Sequence, residues 1–365
     1  MSEGSSASPA PAALPDDDDL LREILLRLPP LPSSLPRASL VSKRWRRLIA
    51  DPQFLRRFRA RHHSTRPLLG FFADHGALVF TPTLDPPDRI PSTRFTLPLG
   101  DTMRLLDCRH GLVLFLDWYL FGFVVWDPVT DRQHHVPFPP ECKLDSEYHG
   151  AVLSSASDGD DCLFSPFKLV LLHGHVRDAV TSACLYESES GKWGNISSAS
   201  APPGFARSNV LIGNALYWLL LMSGDILEFT LDRKSLAVIE KPADADYTDS
   251  TRFQVLRIED NGLGLAVLSK YSIQLWGRKT DSSGVFRWVL QKIVELDKLL
   301  PLRPSSNTRS IAIVGFDEDT KVIFIGTAVG YFMIQAESMQ FTKYFKSNGT
   351  NFCYPYTALY TAGAG

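Results

Sequence analysis

One unit recurs loosely along most of the sequence and limits the possible folds more than any other feature. It is an apolar strand, a polar turn, a second apolar strand with an aromatic, then an acid–turn–Lys/Arg–apolar ending. It reads LLDCRHGLVLFLDWYLFGFVVWDPVTDRQHHVPFP over residues 105–139 and returns over 168–197, 210–242, 253–296 and 310–345. The spacing of roughly 40–60 residues is that of a four-stranded propeller blade. Third strands end in an aromatic and a polar turn at Val125-Trp126-Asp127, Leu185-Tyr186-Glu187, Leu227-Glu228-Phe229, Leu275-Trp276 and Phe332-Met333. Fourth, outer strands follow over 133–137, 193–196, 236–240, 288–293 and 339–345. One meander alone leaves its edges open, and a ring of meanders protects them. Residues 68–80 with 95–97 supply a further blade, and residues 351–360 close the ring. About six or seven blades fit residues 68–362. A two-sheet sandwich is the competing architecture.

Composition supports many short strands over a helical bundle. Aromatics make up 11% of the chain, and 24 Gly and 25 Pro supply its turns. The formal charge of −2 gives the whole chain no bias toward nucleic acid or membrane. No run of apolar residues reaches the length of a spanning helix. The opening stretch MSEGSSASPAPAALPDDDD lacks basic residues and an apolar segment, so no signal peptide is expected. Cys108, Cys142, Cys162, Cys184 and Cys353 are odd in number and form no C-x-x-C pair, so they read as free thiols in a reducing compartment.

Residues 14–62 have a different character. Residues 1–13 are mostly Ser, Ala, Pro and Gly and are expected to be disordered. Asp16 then reads as the N-cap of a helix with Asp19 at its third position. Leu20, Leu21, Ile24, Leu25 and Leu28 make one apolar stripe, with Arg22, Glu23 and Arg27 opposite, and Pro29-Pro30 ends the helix. A short helix is expected from about residue 33 to 39. A third opens at Leu40 and Val41, with Trp45, Leu48 and Ile49 as its apolar face. Asp51-Pro52 caps a fourth, whose stripe is Phe54, Leu55 and Phe58. A module of roughly 50 residues cannot hide so many large apolar side chains alone, so part of this surface awaits a partner.

The order of these blocks resembles the F-box motif. Leu14-Pro15 precedes D-D-L-L-R-E-I-L-L-R-L-P (18–29), S-L-V-S-K-R-W-R-R-L-I (39–49) and D-P-x-F (51–54). The resemblance implies a small helical module that docks on a Skp-type adaptor and through it on a cullin–RING ubiquitin ligase. It also implies that Leu14, Pro15, Leu20, Leu21, Ile24, Leu25, Leu28, Pro29, Leu40, Val41, Trp45, Leu48 and Ile49 form the adaptor-binding surface or its supporting core. The sequence does not divide those two roles. Trp45 is the module's one Trp, the residue type most enriched among interface anchors. Ser42 stands where many family members carry Cys. In the β region, D-C-R-H-G-L-V-L-F (107–115) followed by V-W-D-P-V-T (125–130) resembles the domain that follows the F-box in plant F-box proteins. The chain has no Gly-Gly pair, which argues against kelch repeats, and Trp126-Asp127 lacks the Gly-His partner of a WD repeat.

From Asp16 to Arg61 there are eleven Lys or Arg against six Asp or Glu. These charges alternate with the apolar stripe and no stacking aromatics interleave them, so they read as a solvated helix face, not a nucleic-acid arm. No G-x-S-x-G elbow, phosphate-binding loop or complete dinucleotide fingerprint is present. His62-His63 and His134-His135 are adjacent pairs, which point to opposite faces on a strand; His173 and His175 share a face without a further ligand at metal spacing. Asp158, Asp160 and Asp161 lie in SSASDGDD, which lacks a calcium-loop ladder and reads as a solvated loop.

The expected fold is therefore an α+β multidomain chain: an F-box helical module over 14–62, then an all-β, propeller-like domain over 68–362. The resemblance implies a non-enzymatic substrate-recognition subunit of a Skp–cullin–F-box ligase, cytoplasmic and/or nuclear, without cofactor or metal. The β-domain would hold an unknown protein target, and exposed loop aromatics such as Trp118 and Tyr119 are candidates to touch it. The alternatives are a scaffold acting without the ligase, and an enzyme or lectin using a central pocket, which would need convergent carboxylates or a metal.

Overall fold

The computed structural model describes residues 17–62, 65–74, 78–97, 102–142, 146–154, 166–175, 177–245, 252–300, 311–346 and 352–360. The chain forms two compact units that divide between Thr65 and Arg66. Among the described residues no helix is long and apolar enough to cross a membrane.

The first unit holds four helices: α1 (Asp18–Leu25), α2 (Ser34–Ser39), α3 (Lys43–Ile49) and α4 (Pro52–Arg61). Three start on side-chain caps. Asp17 accepts from Asp19 N at 2.8 Å, Ser42 from Trp45 N at 3.2 Å and Asp51 from Gln53 N at 3.0 Å. Each such cap satisfies an orphan donor and contributes about 1 kcal/mol. Asp17 is the cap of α1, while Asp16 lies outside the described residues, as do Leu14 and Pro15. The third helix does not open at Leu40. Ser42 is extended and takes the cap position, so Leu40 and Val41 are left in the turn before it. Leu21, Leu25, Leu35, Leu48, Phe54 and Phe58 close the core of this unit.

The second unit is a six-bladed β-propeller. Its first blade runs outward through Met103–Arg109, Leu112–Asp117, Gly122–Asp127 and Arg132–Pro137. The second blade uses Glu147–Ser154, Phe167–Gly174 and Thr181–Glu187, with Lys192–Trp193 and Ser197–Ala199 both pairing to its third strand. The third uses Phe205–Ile212, Ala215–Leu220, Ile226–Thr230 and Ser235–Ile239. The fourth uses Phe253–Arg257, Leu263–Ser269, Ser272–Thr280 and Phe286–Glu295. The fifth uses Ala312–Asp317, Val322–Thr327, Gly330–Gln335 and Phe341–Lys346. In the sixth, Cys353–Thr357 from the end of the domain pairs with Leu68–Asp74 from its beginning, which pairs with Leu78–Pro82. Both ends of the domain thus lie in one sheet, which removes the open edge a linear array would leave.

Three expectations are corrected. The second blade begins at Glu147, not at Lys168, because its inner strand lies upstream of residues 155–165. Its outer strand does not run through 193–196; it breaks after Trp193 and resumes at Ser197. Residues 95–97 form no strand; Phe95 follows a single 3-10 turn and buries its ring in the sixth-blade seam. Residues 155–161 of the SSASDGDD stretch and Cys162 lie outside the described residues, and the other four cysteines form no disulfide with one another.

Blade faces supply the core. Leu114 and Val125 of the first blade pack with Val152 and Leu169 of the second. The closing seams are aromatic. Phe71 meets Phe324, Tyr331 and Phe345 of the fifth blade at 5.3–5.6 Å between ring centroids. Phe72, Phe80, Phe95 and Tyr356 form edge-to-face and tilted pairs on the side toward the first blade, where Phe72 reaches Trp126 at 6.1 Å. Such pairs add about 0.5–1.5 kcal/mol each beyond their burial. The inner strands of the fifth and sixth blades approach so closely that a Cβ on Gly315 would collide with the Cys353 carbonyl oxygen.

Candidate functional site

Two surfaces carry the functional question, one on each unit. On the helical unit the apolar stripe of α1 splits. Leu21 and Leu25 are fully buried, whereas Leu20 and Ile24, one turn apart on the adjacent face, are 49% and 38% exposed. Leu40 and Val41 in the α2–α3 turn are 74% and 58% exposed. Leu48 and Ile49 face inward. Leu28 and Trp45 are half-buried against the core, and Pro29 is exposed. Of the thirteen residues expected at the adaptor surface, Leu21, Leu25, Leu48 and Ile49 are buried, Leu20, Ile24, Pro29, Leu40 and Val41 are exposed, Leu28 and Trp45 are half-buried, and Leu14 and Pro15 lie outside the described residues.

Ion pairs hold α1 to the other helices. Asp18 accepts from Arg44 Nε at 2.7 Å and from Arg47 at 3.4 Å. The Arg44 hydrogen bond is the main reason the Asp18 carboxyl lies below its usual range. Glu23 pairs with Arg57 of α4, and His62 Nε2 donates to the Leu26 carbonyl at 3.0 Å, covering the end of α1. The unit therefore presents Leu20, Ile24, Leu40 and Val41 from a framework already fixed by its own core and charges. Full burial of a Leu, Ile or Val side chain is worth about 1.5–3 kcal/mol, so covering all four supplies a substantial driving force for association.

On the propeller, the central channel is polar. Arg109 at the end of the first inner strand spans to Glu318, after the fifth, through Nε–Oε1 at 2.6 Å and Nη2–Oε2 at 3.2 Å. It also donates to Asn209 Oδ1 of the third blade at 2.7 Å. Asp107 accepts from Asn209 Nδ2 at 3.1 Å and from Val152 N at 2.9 Å, and Glu318 accepts from Leu211 N at 2.7 Å. Four blades therefore meet in one buried network. Burial disfavours the Arg109 charge, but the Glu318 and Asp107 carboxylates outweigh it and hold the guanidinium firmly protonated. Burial lifts the Asp317 carboxyl to about 7. These groups satisfy one another, so the arrangement reads as a structural clamp. Among the described residues no group of three or more His, Cys, Asp or Glu is placed to hold a metal ion.

The opposite end of the channel differs. The inner-strand starts carry Arg104, His149 and Arg207. Arg104 Nη2 donates to the Tyr148 carbonyl, and its buried Nε has no partner. Arg207 is exposed and lies over the Phe352 ring at 5.1 Å. His149 packs its ring against Phe205 at 5.6 Å; burial, then the fields of Arg104 and Arg207, hold it neutral with its pKa lowered to about 3. None of these three was singled out from sequence. The one available signal was a charged or His residue interrupting an otherwise apolar inner strand. Of the loop aromatics expected from sequence, Tyr119 is 78% exposed at this end, while Trp118 packs inward against Phe138 and Tyr148.

Comparison with known proteins agrees with this architecture. An F-box domain matches residues 13–57. The family described as F-box protein AT5G49610-like, β-propeller, matches residues 104–357. The F-box protein At5g03970 of Arabidopsis thaliana is 29% identical over 139 residues, which are 34% of this chain and 32% of that protein. The chain thus spans about a third of the length of that curated relative. Among solved structures, one from a nidogen/laminin complex aligns over 80% of this chain and 98% of its own at 10% identity and a TM-score of 0.46. A protein of unknown function from Desulfotomaculum acetoxidans aligns over 77% and 82% at 12% identity and a TM-score of 0.43.

Proposed function

Since the chain belongs to the F-box proteins with an AT5G49610-like β-propeller, we propose that it is the substrate-recognition subunit of a Skp–cullin–F-box ubiquitin ligase. The observation that carries this reading is the exposed apolar set Leu20, Ile24, Leu40 and Val41 on a helical unit whose own core is already closed. These side chains, with Pro29 and the half-buried Leu28 and Trp45, contact the Skp-type adaptor. Leu21, Leu25, Leu48 and Ile49 hold them in place. Leu14 and Pro15 extend the contact from outside the described residues.

The propeller binds the protein target. The chain does no bond chemistry itself and uses no cofactor or metal. It acts by proximity, raising the target's effective concentration near the ubiquitin-charged enzyme of the ligase in the cytoplasm and/or nucleus. The test is co-expression with a Skp-type adaptor and a cullin–RING pair. A stoichiometric four-component complex supports the reading. A folded chain that elutes free of the adaptor overturns it.

A further inference from the structure

The two ends of the propeller channel present different chemistry. Strand register places Arg104 opposite Leu116 and His149 opposite Leu172, beside the turns that join second to third strands in their blades. Arg207 lies just inside the Phe205↔Leu220 pair, beside the corresponding turn of the third blade. Contacts between blades put these starts at one end. Arg104 reaches the Tyr148 carbonyl, His149 packs on Phe205, and Arg207 lies over Phe352 just before the sixth inner strand.

Turns of the first, third and fifth blades expose apolar side chains at this end, while those of the second and fourth carry the exposed Arg177, Asp178 and Lys270. Tyr119, Leu120 and Phe121 of the first blade, Met222 of the third and Val329 of the fifth are all exposed. Turns at the other end read P-V-T-D (128–131), S-E-S-G (188–191), L-D-R-K (231–234) and E-D-T-K (318–321). Among the described residues no carboxylate pairs with Arg104 or Arg207. Two carboxylates at the Arg104 end are already engaged: Asp117 accepts from Tyr119 N at 2.8 Å, and Asp225 accepts from Lys241 N at 3.1 Å. Glu147 is exposed at the start of the second inner strand and is the counter-charge whose field reaches Arg104. Two guanidiniums, one with an unpartnered buried N–H, thus stand at the end where the first, third and fifth blades expose apolar side chains. Arginine is suited to carboxylate and phosphate groups because its planar fork offers several donors.

We propose that this end of the propeller receives a segment of the target protein whose anionic side chain seats between Arg104 and Arg207 while its flanking apolar residues cover Tyr119, Phe121 and Met222. The proposal rests on the reading of the β-domain as the target-binding part and names the chemistry that part selects.

The test is fluorescence anisotropy of the full chain with three degenerate peptide pools. Each has leucine and phenylalanine flanking a fixed central phosphothreonine, glutamate or alanine. At least one anionic pool is expected to bind about thirtyfold tighter than the alanine pool, the lower end of what loss of a desolvated charge contact implies. Preference for phosphothreonine alone identifies a modified target segment; preference for both identifies an unmodified acidic one. Arg207→Gln, an exposed position, should reduce the preference with unchanged melting temperature, and Arg104→Gln/Arg207→Gln should reduce it further, read at a temperature where circular dichroism shows the chain folded. Tyr119→Ser/Met222→Ser should weaken all pools and keep the preference. Equal binding of the three pools, no binding to any, or an anionic preference retained in the double arginine variant overturns the proposal. Adaptor binding is measured on the same samples. Its loss in the wild type sinks the ligase reading while leaving the peptide result standing.

Discussion

Arg109 and Glu318, 209 residues apart in sequence, form a buried two-point ion pair across the propeller channel. A charge pair in this setting is not by itself strongly stabilising, because both ions have left water. Removing one partner is another matter, since the other then stays buried without compensation. Glu318→Ala should therefore destabilise the propeller by about 3–5 kcal/mol in urea denaturation. A loss under about 1 kcal/mol would mean that the clamp is not structural.

Asp317, beside that clamp, gives a pH signature. Burial raises its folded pKa to about 7, although Thr320 N donates to it at 2.9 Å and favours the charged form. The unfolded carboxyl titrates near about 3.9. The folded state therefore holds an extra proton between these values, and the associated stability is full below the unfolded pKa and lost as pH rises through about 7. Asp317→Asn should gain in melting temperature relative to wild type as pH goes from about 5 to about 8. A difference independent of pH over that range contradicts the assignment.

The ring is closed by side chains as well as by strand pairing. Phe71 is fully buried between the fifth and sixth blades. Phe71→Ala should cost about 3–5 kcal/mol, the usual range for a buried Phe truncation. Val79→Ala on the neighbouring strand, 42% exposed, should stay within about 0.5 kcal/mol. Equal effects at both positions in chemical denaturation would show that the seam does not carry the closure.

How far the sequence reaches differs by element. The cap at Asp51 follows local hydrogen-bonding rules, the expected opening of the third helix at Leu40 passes over the cap at Ser42, and the Asp-rich start of α1 differs from its expected cap by one residue. The blade repeat is legible because alternation and turn chemistry are local. The inner strand Glu147–Ser154 is not, because its partner Phe167–Gly174 lies beyond an eleven-residue polar interval, 155–165. The closing role of residues 351–360 is legible from position, but not that Cys353–Thr357 becomes the innermost strand. The α1 spacing marks Leu20 through Leu28 as one apolar stripe yet does not decide which members face a partner. That depends on where α3 and α4 pack. Arg104, His149 and Arg207 are ordinary strand residues in sequence, and only ring closure brings them to one channel mouth.

Titration calorimetry with a purified Skp-type adaptor reads out whether the exposed apolar residues of the helical unit make the proposed adaptor contact. Leu20→Ala/Leu40→Ala should weaken binding by about 2–4 kcal/mol with the chain's melting temperature unchanged. Leu25→Ala, a core position, should lower helical-unit stability by about 2–5 kcal/mol and affect binding only through unfolding. Tight binding by the wild type, lost in the surface double variant while the chain stays folded, is the predicted result. Wild-type binding that is absent, or unchanged in that variant, would show that this surface is not the adaptor site.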